Sequence, residues 1–187
     1  MRTHLTFAFC LLLLATSSDA CEPVGAPWLE LRITASEYAG ADRTFALALH
    51  DNGCAAVHRP AYFRAPGAYR LTLGAADHQR FAELASSPAL LAFDAQAVRA
   101  GMAQRLRGSA NEPAELFEVA DAGRFELILK DADGRRVLQF DGVPQYAERF
   151  PDIPGLADFS DVVDAAHALA ARQDLRPALS GAAGDAQ

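Results

Sequence analysis

Basic charge is scarce in this chain. Seventeen arginines and lysines stand against 24 aspartates and glutamates, giving a formal net charge of −7, and Lys130 is the single lysine. A nucleic-acid binder would show a basic patch or stripe, so that function class is set aside. Schiff-base chemistry has almost no candidates either, since Lys130 sits at the end of a strand pattern beside Asp131, where a surface ion pair is the ordinary role. Sharp catalytic signatures are missing too: there is no G-x-S-x-G, H-E-x-x-H, C-x-x-C, G-x-x-x-x-G-K or G-x-G-x-x-G. What is present is a chain of 187 residues, 51% apolar and 22% charged, with alanine the commonest residue. That composition excludes intrinsic disorder and suits one ordinary domain, which usually has roughly 100–200 residues.

The N-terminal residues 1–20, MRTHLTFAFCLLLLATSSDA, read as a secretory signal peptide. Arg2 supplies the positive start, Leu5 to Ala15 the apolar run, and Ser18-Asp19-Ala20 a small-x-small cleavage site. The apolar run is too short to span a bilayer well, which takes about 20 residues. The expected location is therefore exported, periplasmic or secreted. Cleavage after Ala20 would put Cys21 first, and two fates stay open for it. Cys10 leaves with the leader, so Cys21 and Cys54 remain as an even pair, as a disulfide in an exported protein requires. Alternatively, Cys21 ends a degraded lipobox and carries acyl chains as an outer-membrane lipoprotein, with Ser18 where an aliphatic residue is usual. Membrane association is expected only in that second case.

Residues 28–36, WLELRITAS, alternate apolar and polar, as a half-buried strand does. Thr44 to His50 form a second strand with Phe45, Leu47 and Leu49 on one face and alanines on the other. Asp51-Asn52-Gly53 is the strongest hairpin signal, returning as Cys54 to Arg59. A two-residue turn would set Leu47 opposite His58; a three-residue loop with Gly53 in the left-handed region sets Leu47 opposite Val57 and pairs apolar with apolar. A strand over Tyr69–Leu73, a helix over 75–85, a helical piece opened by Pro88 and a helix capped by Asp94 over 95–107 follow. Gly108 to Pro113 is the candidate internal boundary. Beyond it come a short strand at Leu116–Val119, a strand through Phe125, Leu127 and Leu129, and a return over Val137–Phe140. Asp131-Ala132-Asp133-Gly134 resembles the opening of a calcium loop but reads as a turn, because strand residues follow at once. Three prolines mark 141–156 as loop. Phe159, Val162, Val163, Ala166 and Leu169 then give a clear amphipathic helix, and residues 173–187 read as a disordered tail.

The expected fold is α+β: an antiparallel sheet of about five to seven strands with two to three helices packed on one face, in a single domain over 21–172. The run LALHDNGCAAVHRP, then GAYRLTL and a helix with FAEL, is similar to small exported bacterial domains of unknown function. The likeness covers the first half and the C-terminal helix. It implies the order strand, glycine turn, strand, glycine-led strand and helix, and it carries no activity.

Two functions of different classes follow. The first is a non-catalytic exported module, binding or accessory, whose partner is an envelope protein or glycan; the residues imply no cofactor. The second is a small hydrolase or metal-dependent enzyme using His50, His58 and Asp51, which lie on or beside the first hairpin, with Cys54 opposite His50 in the three-residue register. His167 is expected to pair with Asp164 one helical turn away. Tyr62, Phe63 and Tyr69 in one proline-rich loop region, and Tyr146 and Phe150 in the other, either bind a ligand or tuck beneath their loops.

Overall fold

The computed structural model of the chain describes residues 21–36, 40–107, 117–131 and 134–178. Its centre is a seven-stranded antiparallel sheet, which makes the class α+β. The strands are β1 (Leu29–Thr34), β2 (Thr44–Leu49), β3 (Cys54–Arg59), β4 (Gly67–Thr72), β5 (Arg124–Asp131), β6 (Gly134–Asp141) and β7 (Arg176–Pro177), in the order β6-β5-β1-β2-β3-β4-β7. Alternation decides which face is buried. Leu29, Leu31 and Ile33 of β1 are buried, whereas Arg32 between them is exposed. Pairing carries this pattern across the sheet: Leu138, Leu127, Leu31, Leu47 and Val57 fall opposite one another on successive strands. The result is one continuous apolar face.

The first hairpin takes the three-residue register. Leu47 faces Val57, and Gly53 adopts φ +75°, a conformation that costs glycine little. The Gly53 N–H donates to the His50 carbonyl at 2.9 Å, and the His50 N–H donates to the Cys54 carbonyl at 2.9 Å. The second hairpin closes with Asp131 opposite Gly134, and the two residues between them lie outside the described residues.

Five helices cover the apolar face where two to three were expected: α1 (Ala75–Ala85), α2 (Pro88–Leu91), α3 (Ala95–Leu106), α4 (Val143–Arg149) and α5 (Leu156–Ala170). Asp94 caps α3 by accepting from the Gln96 and Ala97 amides at 2.7 and 3.0 Å. Ser87 caps α2 ahead of Pro88. Helix α4 corrects the expectation of a loop through 141–156. Pro144 falls in its first turn, where a proline forfeits no helical hydrogen bond, so it permits the helix.

Helix α5 is the main cover. Leu156, Phe159, Val162, Val163, Ala166 and Leu169 are all buried, and each large one contributes roughly 1.5–3 kcal/mol. It starts earlier than the expected Phe159, after Gly155 at φ +79°. A Cβ at Gly155 would lie 2.6 Å from the Ala89 carbonyl oxygen, so α2 crosses the start of α5 at a distance only glycine allows.

Three further expectations change. Residues 173–178 are not an unstructured tail: Leu175 is buried and β7 pairs with β4, Arg176 opposite Arg70; residues 179–187 lie outside the described residues. Phe117 to Val119 form no strand. Phe117 instead packs edge-on against Tyr146 and Phe150, with ring centres at 5.6 and 5.9 Å, because an aromatic cluster under α4 offers more burial than an isolated short edge. The suggested boundary at 108–113 and Leu116 fall outside the described residues.

Candidate binding cleft

Pro60 stops β3 immediately after Arg59, and the loop that follows swings back beside the C-terminal end of α5. Arg59 lies on the same strand face as Val57 and reaches toward the helices. Its guanidinium donates to the Ala170 carbonyl at the end of α5 and lies over the Tyr69 ring, 4.4 Å from its centre. Phe63 stacks on the buried Phe45 at 5.7 Å and 9°, while His167 meets the same Phe45 edge-on at 5.3 Å. One core phenylalanine therefore supports both walls of a hollow.

That hollow is a cleft of about 630 Å³ lined by Arg59, Phe63, Arg64, Ala65, His167, Ala170 and Ala171. No carboxylate is among the lining residues, although the chain as a whole is acidic. Arg64 is exposed at its rim. Packing of the His167 ring lowers its pKa below the ordinary histidine value, against the opposing pull of the Asp164 charge. His167 makes no ion pair with Asp164, so the expected pairing one turn apart reduces to this longer-range effect.

Two other hollows, of about 450 and 510 Å³, open at the far end of the sheet. Both include Arg124 and Asp141, which pair across β5 and β6 at 3.3 Å, so their charge is neutralised within the protein. Each also holds a second arginine, Arg99 in one and Arg43 in the other, but the first cleft is the one of the three that no carboxylate lines.

The residues singled out around the first hairpin do not converge. His50 is buried, with Nδ1 3.1 Å from the Gly25 carbonyl oxygen. His58 Nε2 lies 2.7 Å from Asp42 Oδ1, and Asp51 is exposed in the turn. Cys54 forms a disulfide with Cys21, with Cα atoms 5.6 Å apart, so its sulfur is not free to bind a metal. Among the described residues, no group of three or more His, Cys, Asp or Glu is placed to hold a metal ion. The segment before β1 instead clasps the hairpin: Asn52 Nδ2 donates to the Glu22 carbonyl at 2.8 Å, and Arg70 pairs with Glu22.

Of the aromatic residues marked in the two proline-rich regions, Phe150 is buried and Tyr146 packs against Phe117 and Phe140. Those two serve the core. Phe63, Arg64 and His167 border open space, and neither arginine of the cleft is distinguishable in the sequence from the chain's other arginines. No family model, no curated protein and no solved structure matches this chain.

Proposed function

We propose that this chain is an exported, non-catalytic module that binds an envelope protein or glycan through the Arg59–Phe63–Arg64–His167 cleft. One observation carries the reading: a concave site within the usual ligand range of about 300–1,000 Å³ gathers basic and aromatic side chains, with no carboxylate lining it, on an otherwise acidic chain. Recognition sites commonly combine an apolar wall with a few placed polar groups, and this cleft has both.

Export is supported by the leader-like residues 1–20 and by a disulfide, which persists in oxidising compartments. Among the described residues no helix is long and apolar enough to cross a membrane. A sulfur bonded to Cys54 cannot also carry a thioether-linked lipid, so the disulfide favours a free protein over one anchored through Cys21.

The test is retention of envelope components by the immobilised protein at micromolar concentration. Arg64→Glu reverses the rim charge, and Ala65→Trp fills the cleft; both positions are exposed, so both variants should keep the parent's thermal midpoint. Retention by the parent and its loss in both variants supports the reading. Equal retention by all three proteins removes the cleft from the function.

A further inference from the structure

We propose that the group held in this cleft is a single carboxylate carried directly on an apolar body; this rests on the binding reading above. Arg59 is already committed, donating to the Ala170 carbonyl and lying over Tyr69. It contributes field, and its position is fixed. His167 is biased toward the neutral form by the packing of its ring, which leaves it a hydrogen-bonding group near neutral pH. Arg64, exposed at the rim, is the cleft arginine that makes neither a hydrogen bond nor an ion pair within the described residues. One uncommitted cation matches a monoanion.

The helix end points the same way. Ala170 and Ala171 close α5 at its C-terminus, where outward-facing carbonyls carry partial negative charge. Phosphate groups are favoured at the opposite end of a helix, where the amides point outward. Any anion meets repulsion here, a doubly charged phosphate more than a singly charged carboxylate, and since either can take both N–H groups of one guanidinium fork the smaller charge is favoured.

The walls specify what the carboxylate is attached to. Phe63 presents a ring held flat by Phe45, and Ala65, Ala170 and Ala171 are too small to fill the space before it. An alkyl or aryl group seated there removes apolar surface from water on both partners. Acetate would gain only the ion pair, and an uncharged alkyl only the wall. The cleft distinguishes a ligand that has both.

Titration calorimetry with defined probes tests this. Octanoate and phenylacetate represent free amphiphilic acids, and acetyl-Ala-Leu with a free C-terminus represents a chain end. Octanol, acetate, octyl phosphate and the amidated peptide are the controls. At least one acid should bind at least tenfold more tightly than its uncharged counterpart and than octyl phosphate, and Arg64→Ala should weaken it at least tenfold, with part of the loss recovered by Arg64→Lys. Binding of octanoate but not the peptide identifies a free acid as the source and replaces the protein or glycan partner with a small amphiphile; the reverse identifies a protein chain terminus. Equal affinity for octanol, preference for octyl phosphate, silence of every acid, or indifference to Arg64→Ala overturns the assignment. If the acids are silent while envelope retention still depends on Arg64 and Ala65, the ligand class fails and the binding function stands. If retention ignores both positions, the function itself fails.

Discussion

Arg59 and Ala170 join the end of a central strand to the end of the longest helix. The guanidinium of Arg59 donates to the Ala170 carbonyl, an acceptor in the last turn of α5, where main-chain carbonyls lack helical partners. The same contact fixes one wall of the cleft, so stability and binding share a residue. Arg59→Met keeps the stem but leaves that carbonyl without its donor and should cost about 1–3 kcal/mol. Urea unfolding of the variant measures it; a midpoint equal to the parent's would mean that solvent replaces the arginine without loss.

Gly155 and Gly53 separate two reasons for needing glycine. Both have positive φ, but a Cβ at Gly53 meets nothing within 4 Å, whereas at Gly155 it strikes the Ala89 carbonyl oxygen at 2.6 Å. Gly53→Ala should cost only the left-handed backbone term, about 1–2 kcal/mol. Gly155→Ala adds a backbone clash between α2 and α5 and should cost about 2–4 kcal/mol. Thermal unfolding ranks the two; a Gly155→Ala protein no less stable than Gly53→Ala would show that α2 yields without cost.

The disulfide links residues 33 apart in sequence. On the chain-entropy account a loop of that length contributes about 4 kcal/mol. The Cys21→Ala, Cys54→Ala double variant should lose stability by that order in denaturant unfolding. Intact mass of the parent should rise by two hydrogen atoms on reduction. An unchanged mass, or a gain equal to acyl chains, would contradict the bond.

His167 sets a pH dependence whose sign is fixed by the direction of its shift. Its folded pKa lies below the ordinary value of 6.5, so the folded state binds fewer protons than the unfolded chain. Stability is therefore unaffected by this group well above pH 6.5 and declines as the pH falls through 6.5 toward the folded pKa. The parent should lose more of its thermal midpoint between pH 7 and pH 5 than His167→Gln does. A smaller loss in the parent would mean that Asp164 outweighs the packing of the ring.

Much of the sheet was legible because a strand's period of two is visible in residues such as Leu29, Leu31 and Ile33. The hairpin register followed from one comparison, Val57 against His58 opposite Leu47. Helix α4 was hidden by proline: Pro144, Pro151 and Pro154 look alike in sequence, and only position within the first turn makes Pro144 permissive. The stripe that begins at Phe159 hides the start of α5, because Leu156 lies one turn ahead of it. Strand β7 has only two residues, too few for any period, and its one sequence sign is the solitary Leu175. The cleft was the least legible part. Its walls come from residues 59–65 and 167–171, brought together by the shared contact with Phe45, and no local pattern records that meeting.

The claim that this cleft binds a carboxylate on an apolar body is tested most directly by mapping backbone amide NMR shifts in the full chain during titration with octanoate and, separately, with acetyl-Ala-Leu carrying a free C-terminus. At least one of the two should give saturable shifts concentrated in residues 59–65 and 167–171, abolished by Arg64→Glu. Shifts centred on Arg124 and Asp141, or no saturable shifts with either probe, would contradict it.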